Sequence, residues 1–137
     1  MVGNDRKGSR VGEPLLVSII DDDKDVRLAL GALLTSIGYQ VECYDSAESF
    51  LADDKALASG CIVSDIQMSG ISGVELARRL RAEGLCAPII LISAFATDAV
   101  RAQAARSGVR CLLEKPFNPE TLLDEIQSAT GERAPLI

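Results

Sequence analysis

From residue 14 onward, short apolar runs alternate with apolar positions at helical spacing. Leu15 to Ile20 (LLVSII) is a continuous run that stops at Asp21, the pattern of a strand buried on both faces. Val26, Leu30, Leu33, Leu34 and Ile37 then recur at helical spacing, with Gly38 as the stop, so a first helix is expected there. Gln40 to Tyr44 reads as a second strand, and Asp45-x-x-Glu48 as an acidic capping box opening a second helix that fades before Gly60. Cys61 to Ser64 is a third strand ending at Asp65, followed by an open loop rich in Ser and Gly and a helix from Val74 to Glu83 stopped at Gly84. Ile89 to Ile92 is a fourth strand ending at Ser93, with a small-residue helix from about Asp98 to Ser107. Val109 to Leu113 is the fifth strand, ending in Glu114 and Lys115, and the last helix carries Asn118 as N-cap, Pro119 in its first turn and Leu122, Leu123 and Ile126 on one face.

Five strand–helix units of near-equal length imply one α/β domain, a doubly wound parallel sheet with right-handed crossovers and helices on both faces. Residues 1–13 carry three glycines and no periodicity, which describes a flexible lead-in. The domain is expected over 14–131, with 132–137 as a tail.

Composition narrows the function. The net charge of −6 and pI near 4.6 make direct binding to a phosphate backbone or an anionic membrane surface unfavourable. The chain has no histidine, which excludes Ser-His-Asp and Cys-His catalysis and His-containing metal sites. Cys43, Cys61, Cys86 and Cys111 form no C-x-x-C pair and read as reduced structural thiols. No apolar stretch approaches the ~18 residues of a membrane span, and no export signal follows the basic positions near the N-terminus. A cytoplasmic protein is expected.

In a parallel sheet of this kind ligands bind beyond the carboxyl ends of the strands. The residues delivered there are Asp21 and Asp22 after the first strand, Asp65 after the third, Ser93 after the fourth and Lys115 after the fifth. Each has an ordinary reading alone: the acidic run complements a helix N-terminus, and Lys115 is a solvated strand-end lysine. Together they describe something else. Three carboxylates crowded at one sheet edge repel, and a hard divalent ion relieves the repulsion. Mg²⁺ takes oxygen ligands, keeps several waters and uses one or two carboxylates plus a phosphoryl oxygen. Lys115 adds a positive charge and Ser93 a hydroxyl donor, so the set suits a phosphoryl group.

The acidic pair Asp21-Asp22, Asp65 with Met68 and Gly73 behind it, Ser93-Ala94 and Lys115-Pro116-Phe117 together resemble a response-regulator receiver domain of the CheY-like superfamily, in order over about residues 14 to 130. The segments SAESFL and SGVEL are similar to FixJ-type receivers. The resemblance implies the strand order 2-1-3-4-5 with five helices, and two-component signalling of bacterial type in the cytoplasm. It implies Asp65 as phosphoacceptor from a phosphohistidine on a sensor histidine kinase or histidine phosphotransfer protein. It further implies Mg²⁺ held by Asp21, Asp22, Asp65 and the backbone carbonyl of Gln67, with Lys115 pairing with phosphoryl oxygens and Ser93 as the switch hydroxyl. A cis bond before Pro116, control of an output domain or effector protein, and a phosphorylation-dependent homodimer belong to the same implication. Nucleic acid and membrane are not expected as direct partners.

Two positions depart from the family pattern. Ser69 stands where proline is common, which loosens the third loop. Leu112 stands three before the lysine, where an aromatic ring is usual, so the switch is expected to run through Ser93 and the segment 95–107 rather than through a rotating ring.

Other functions fit less well. A haloacid-dehalogenase-type phosphatase needs an acid two residues past its nucleophile, and that residue is Gln67. A flavin- or nucleotide-binding module needs a loop of amide donors after the first strand, where this chain has Asp21-Asp22-Asp23. A receiver-like module that no longer takes phosphate is disfavoured because all five site residues are present. Eleven residues follow Ile126, too few for a helix-turn-helix, so the chain is expected to be a stand-alone receiver or a piece of a longer regulator.

Overall fold

A computed structural model describes residues 14–131; the expected lead-in 1–13 and tail 132–137 lie outside the described residues. Five strands, β1 (Leu16–Ile20), β2 (Gln40–Tyr44), β3 (Cys61–Asp65), β4 (Ile89–Ser93) and β5 (Cys111–Glu114), alternate with five helices. The helices are α1 (Lys24–Ser36), α2 (Ala47–Ala52), α3 (Gly73–Ala82), α4 (Asp98–Ala105) and α5 (Pro119–Thr130), and a 3₁₀ turn, Asp54–Ala58, follows α2. The sheet is parallel throughout, in the order β2-β1-β3-β4-β5.

The central strands are buried on both faces, which explains why they read as apolar runs interrupted only by the buried serines Ser18 and Ser64. Successive residues point to opposite sides. Ile62 and Leu91 join Phe50, Leu76 and Leu80 in one core beneath α2 and α3, while Val63, Ile90 and Ile92 join Leu30, Leu34, Leu122 and Ile126 in the other, beneath α1 and α5. Helix α1 ends where Gly38 takes a positive φ of 107°. Its N–H donates to the Thr35 carbonyl and that of Tyr39 to Leu34, a Schellman closure that a residue with a Cβ adopts only under strain.

The capping of α2 corrects the sequence reading. Ser46, not Asp45, is the N-cap, and its hydroxyl accepts from the Ser49 N–H at 3.0 Å. Asp45 instead accepts from the Ser49 hydroxyl at 3.0 Å. Glu48 does not fold back on its own helix: its carboxylate accepts the N–H of Ile71 at 3.0 Å and braces the β3–α3 loop. From extended backbone the serine hydroxyl reaches the amide of the third helical residue, Ser49, and both acids take other donors. Strand β5 begins at Cys111, two residues later than the apolar pattern suggested, and α4 ends at Ala105 rather than Ser107.

Candidate functional site

The strand register assembles the site. Ile20 pairs with Ser64, so Asp21 arrives beside Asp65; Asp65 pairs with Ile92, one residue before Ser93; Ser93 pairs with Glu114, one residue before Lys115. The backbone N–H of Lys115 donates to the Ser93 carbonyl at 2.8 Å, and the peptide bond between Lys115 and Pro116 is cis.

Lys115 Nζ lies 3.2 Å from Asp21 Oδ2 and 3.2 Å from Asp65 Oδ1, bridging two carboxylates almost removed from water. Asp22 completes the group from the exposed side, and oxygens of Asp21, Asp22 and Asp65 all lie within 4.8 Å of one another. Three carboxylates against one ammonium leave two negative charges at the sheet edge. The consequence is visible at Asp65, whose pKa is pushed up from 3.8 to about 6, first by burial and then by the Asp21 charge, with Lys115 pulling in the opposite direction. Burial works against the charge of Lys115, but Asp65 and Asp21 outweigh it and hold its pKa above the ordinary value.

Other groups hold this arrangement in place. The N–H of Asp23 donates to Asp21 Oδ1 at 2.9 Å and Arg27 Nη1 to the Asp21 carbonyl at 2.8 Å. Asp23 itself caps α1, accepting from Asp25 N at 2.9 Å, so the acidic run divides between helix cap and site. Behind Asp65, the Gly73 N–H donates to the Ile66 carbonyl at 3.1 Å. A Cβ at Gly73 would drive into the Asp65 carbonyl oxygen, with Asp65 C and Ile66 Cα each 3.1 Å away, so this close approach requires glycine. The buried Ser93 hydroxyl donates to Gln67 Oε1 at 2.9 Å and accepts from the Phe95 N–H at 2.9 Å.

All six residues singled out from the sequence therefore fall at this edge. Lys115 and the three acids meet directly, while Gln67 enters through its side chain on Ser93. Sequence reasoning missed Arg27, the bracing by Glu48 and the amide of Gln67 as a partner of Ser93. Arg27 and Glu48 lie on amphipathic helices where a polar residue is unremarkable, so no sequence signal marks them.

The donor set fits a hard divalent cation. It is all oxygen, it carries a two-charge excess, and the exposed position of Asp22 leaves room for retained waters, as Mg²⁺ requires. Among the described residues no helix is long and apolar enough to cross a membrane.

Comparison with known proteins gives a consistent result. Residues 17–127 match the family profile described as the response regulator receiver domain. The chain is 35% identical over 123 residues to the transcriptional regulatory protein TdiR of Thauera aromatica, covering 90% of this chain and 54% of that protein. It is 35% identical over 119 residues to the transcriptional regulatory protein FixJ of Bradyrhizobium diazoefficiens, covering 87% and 58%. The chain thus spans about half the length of the curated relatives it matches. Among solved structures, the crystal structure of FixJ-N superposes with a TM-score of 0.78 at 33% identity, over 88% of this chain and 96% of that one.

Proposed function

This chain belongs to the response regulator receiver family, a phosphoacceptor module of two-component signalling, and we propose that Asp65 is the residue that takes the phosphoryl group. The observation that carries this reading is the Lys115 ammonium held 3.2 Å from both Asp21 and Asp65 beside a third carboxylate. A phosphoryl group needs that combination of nucleophile, counter-charge and cation site. The folded unit responsible is taken as 14–131.

In the proposed reaction an Asp65 carboxylate oxygen attacks the phosphorus of a phosphohistidine on a partner kinase or phosphotransfer protein. The P–O bond forms as the P–N bond breaks, the P–N electron pair stays on the released nitrogen, and the imidazole leaves neutral on the partner because its other ring nitrogen already carries a proton. Asp21, Asp22, Asp65 and the Gln67 carbonyl would hold Mg²⁺, which when bound neutralises phosphoryl oxygens. Lys115 turns its ammonium from Asp65 to the arriving oxyanion, and Ser93 contributes its hydroxyl. Hydrolysis of the acyl phosphate by water returns the resting carboxylate, so the domain catalyses only its own gain and loss of phosphate.

The coupling of this switch to an output domain or effector, a phosphorylation-dependent homodimer and a cytoplasmic setting belong to the same proposal; the half-length match to transcriptional regulators supports an output partner. With a net charge of −6, nucleic acid is not proposed as a contact of this domain. Incubation with Mg²⁺ and a small-molecule phosphodonor is expected to add one acid-stable, base-labile phosphoryl group by intact mass, absent in Asp65→Asn. Equal labelling of the variant overturns the assignment.

A further inference from the structure

We propose that the Gln67 side chain is a resting-state latch on Ser93, competing with the phosphoryl group for the single proton of the Ser93 hydroxyl. The inference rests on the reading of Asp65 as phosphoacceptor and assigns a role to a residue that reading uses only through its backbone.

The Ser93 hydroxyl is fully buried and has one proton to give. The Phe95 N–H already donates to its oxygen at 2.9 Å, so the proton must find an acceptor elsewhere. Gln67 Oε1, at 2.9 Å, is that acceptor. The opposite amide orientation would take up the second lone pair of the Ser93 oxygen but leave the buried hydroxyl proton without an acceptor among the described residues, which costs more than the bond itself is worth. The amide orientation is therefore fixed by the neighbours of Ser93.

Gln67 stands two residues past Asp65 on the exposed β3–α3 loop. A phosphoryl oxygen on Asp65 is an ionised acceptor, stronger than an amide carbonyl. Turning the Ser93 O–H toward that oxygen, as a hydrogen bond with the proton kept on serine, breaks the bond to Gln67, whose carbonyl then takes water. The latch lowers the apparent affinity for a phosphoryl group by the fraction of time that it holds the hydroxyl. It also ties Ser93 to the loop that Glu48 braces through the Ile71 N–H. Leu112, packed against the α2–α3 core, offers no hydrogen-bonding group to compete for the hydroxyl, so release of the latch is a local event at Ser93 and the loop.

The test is the affinity of the protein for beryllofluoride, a non-covalent phosphoryl mimic, at saturating Mg²⁺, in wild type, Gln67→Met, Ser93→Ala and the double variant. Met keeps the length of the side chain and removes the acceptor, and the position is exposed, so folding is preserved. Gln67→Met is expected to bind about two- to tenfold more tightly than wild type, the span of one net hydrogen bond. In the Ser93→Ala background the same substitution is expected to change nothing, an outcome that a merely structural effect of the loop does not produce. If wild type binds beryllofluoride but Gln67→Met gains no affinity, or gains it equally without Ser93, the latch is overturned and the phosphoacceptor site stands. If wild type fails to bind beryllofluoride with Mg²⁺ present, the site reading fails and the latch falls with it.

Discussion

The raised pKa of Asp65 makes metal-free stability a direct probe of the site. A carboxyl with a pKa of about 6 when folded, against the ordinary 3.8, disfavours the folded state once it ionises, at about 1.4 kcal/mol for each pH unit between the two values. For a side chain 7% exposed the penalty is about 2–3 kcal/mol. Its sign is opposite to that of a salt-bridged acid: it is absent below the unfolded value, grows as pH rises through the window between the two values, and is complete above the folded one. Lys115 adds nothing in this range, because its pKa moves up from 10.5 and its stabilising effect is lost only in strong base. Metal-free protein in chelator, unfolded by urea at steps from about pH 4.5 to about pH 7.5, is therefore expected to lose stability relative to Asp65→Asn as pH rises. The two proteins should nearly coincide in acid, with the variant ahead by about 2–3 kcal/mol at neutral pH. Other acids titrate in both proteins, so the difference between the curves isolates this group. Parallel curves for wild type and variant across the range would refute the claim that burial and Asp21 disfavour the Asp65 charge.

Two further outcomes follow from the same geometry. Gly73→Ala puts a methyl group against the backbone of Asp65, so urea unfolding should show a loss of about 1–3 kcal/mol, with slower labelling of Asp65 because the nucleophile is displaced; an unchanged rate would show that the contact does not position it. Mg²⁺ should stabilise wild type by about 1.4 kcal/mol at tenfold excess over Kd, whereas Asp22→Asn should raise metal-free stability and lose that gain; a full Mg²⁺ shift in the variant's melting curve would remove Asp22 from the ligand set.

The sequence by itself determined the five strand–helix units and the residues at the strand ends. Strands covered on both faces are apolar apart from small serines that find a partner, as Ser18 does in Ser59 and Ser64 in the Asp65 carbonyl, so the first charged or polar residue at the end of each run, Asp21, Asp65, Ser93 or Lys115 in or next to that place, marks the carboxyl edge. The strand order was legible only through resemblance to a family, since apolar runs carry no information about which run pairs with which. The tertiary structure decided what hydrogen-bonding groups do once several partners compete. Asp45, Ser46 and Glu48 offered two capping schemes of similar spacing, and extended backbone at Ser46 chose one and freed Glu48 for a loop 23 residues away. Lys115 meets Asp21 across 94 residues of sequence, a contact fixed by register rather than by any local pattern. The same register buries Asp65 beside Asp21 and sets its proton affinity, because electrostatic cost depends on distance and dielectric, which a sequence does not contain.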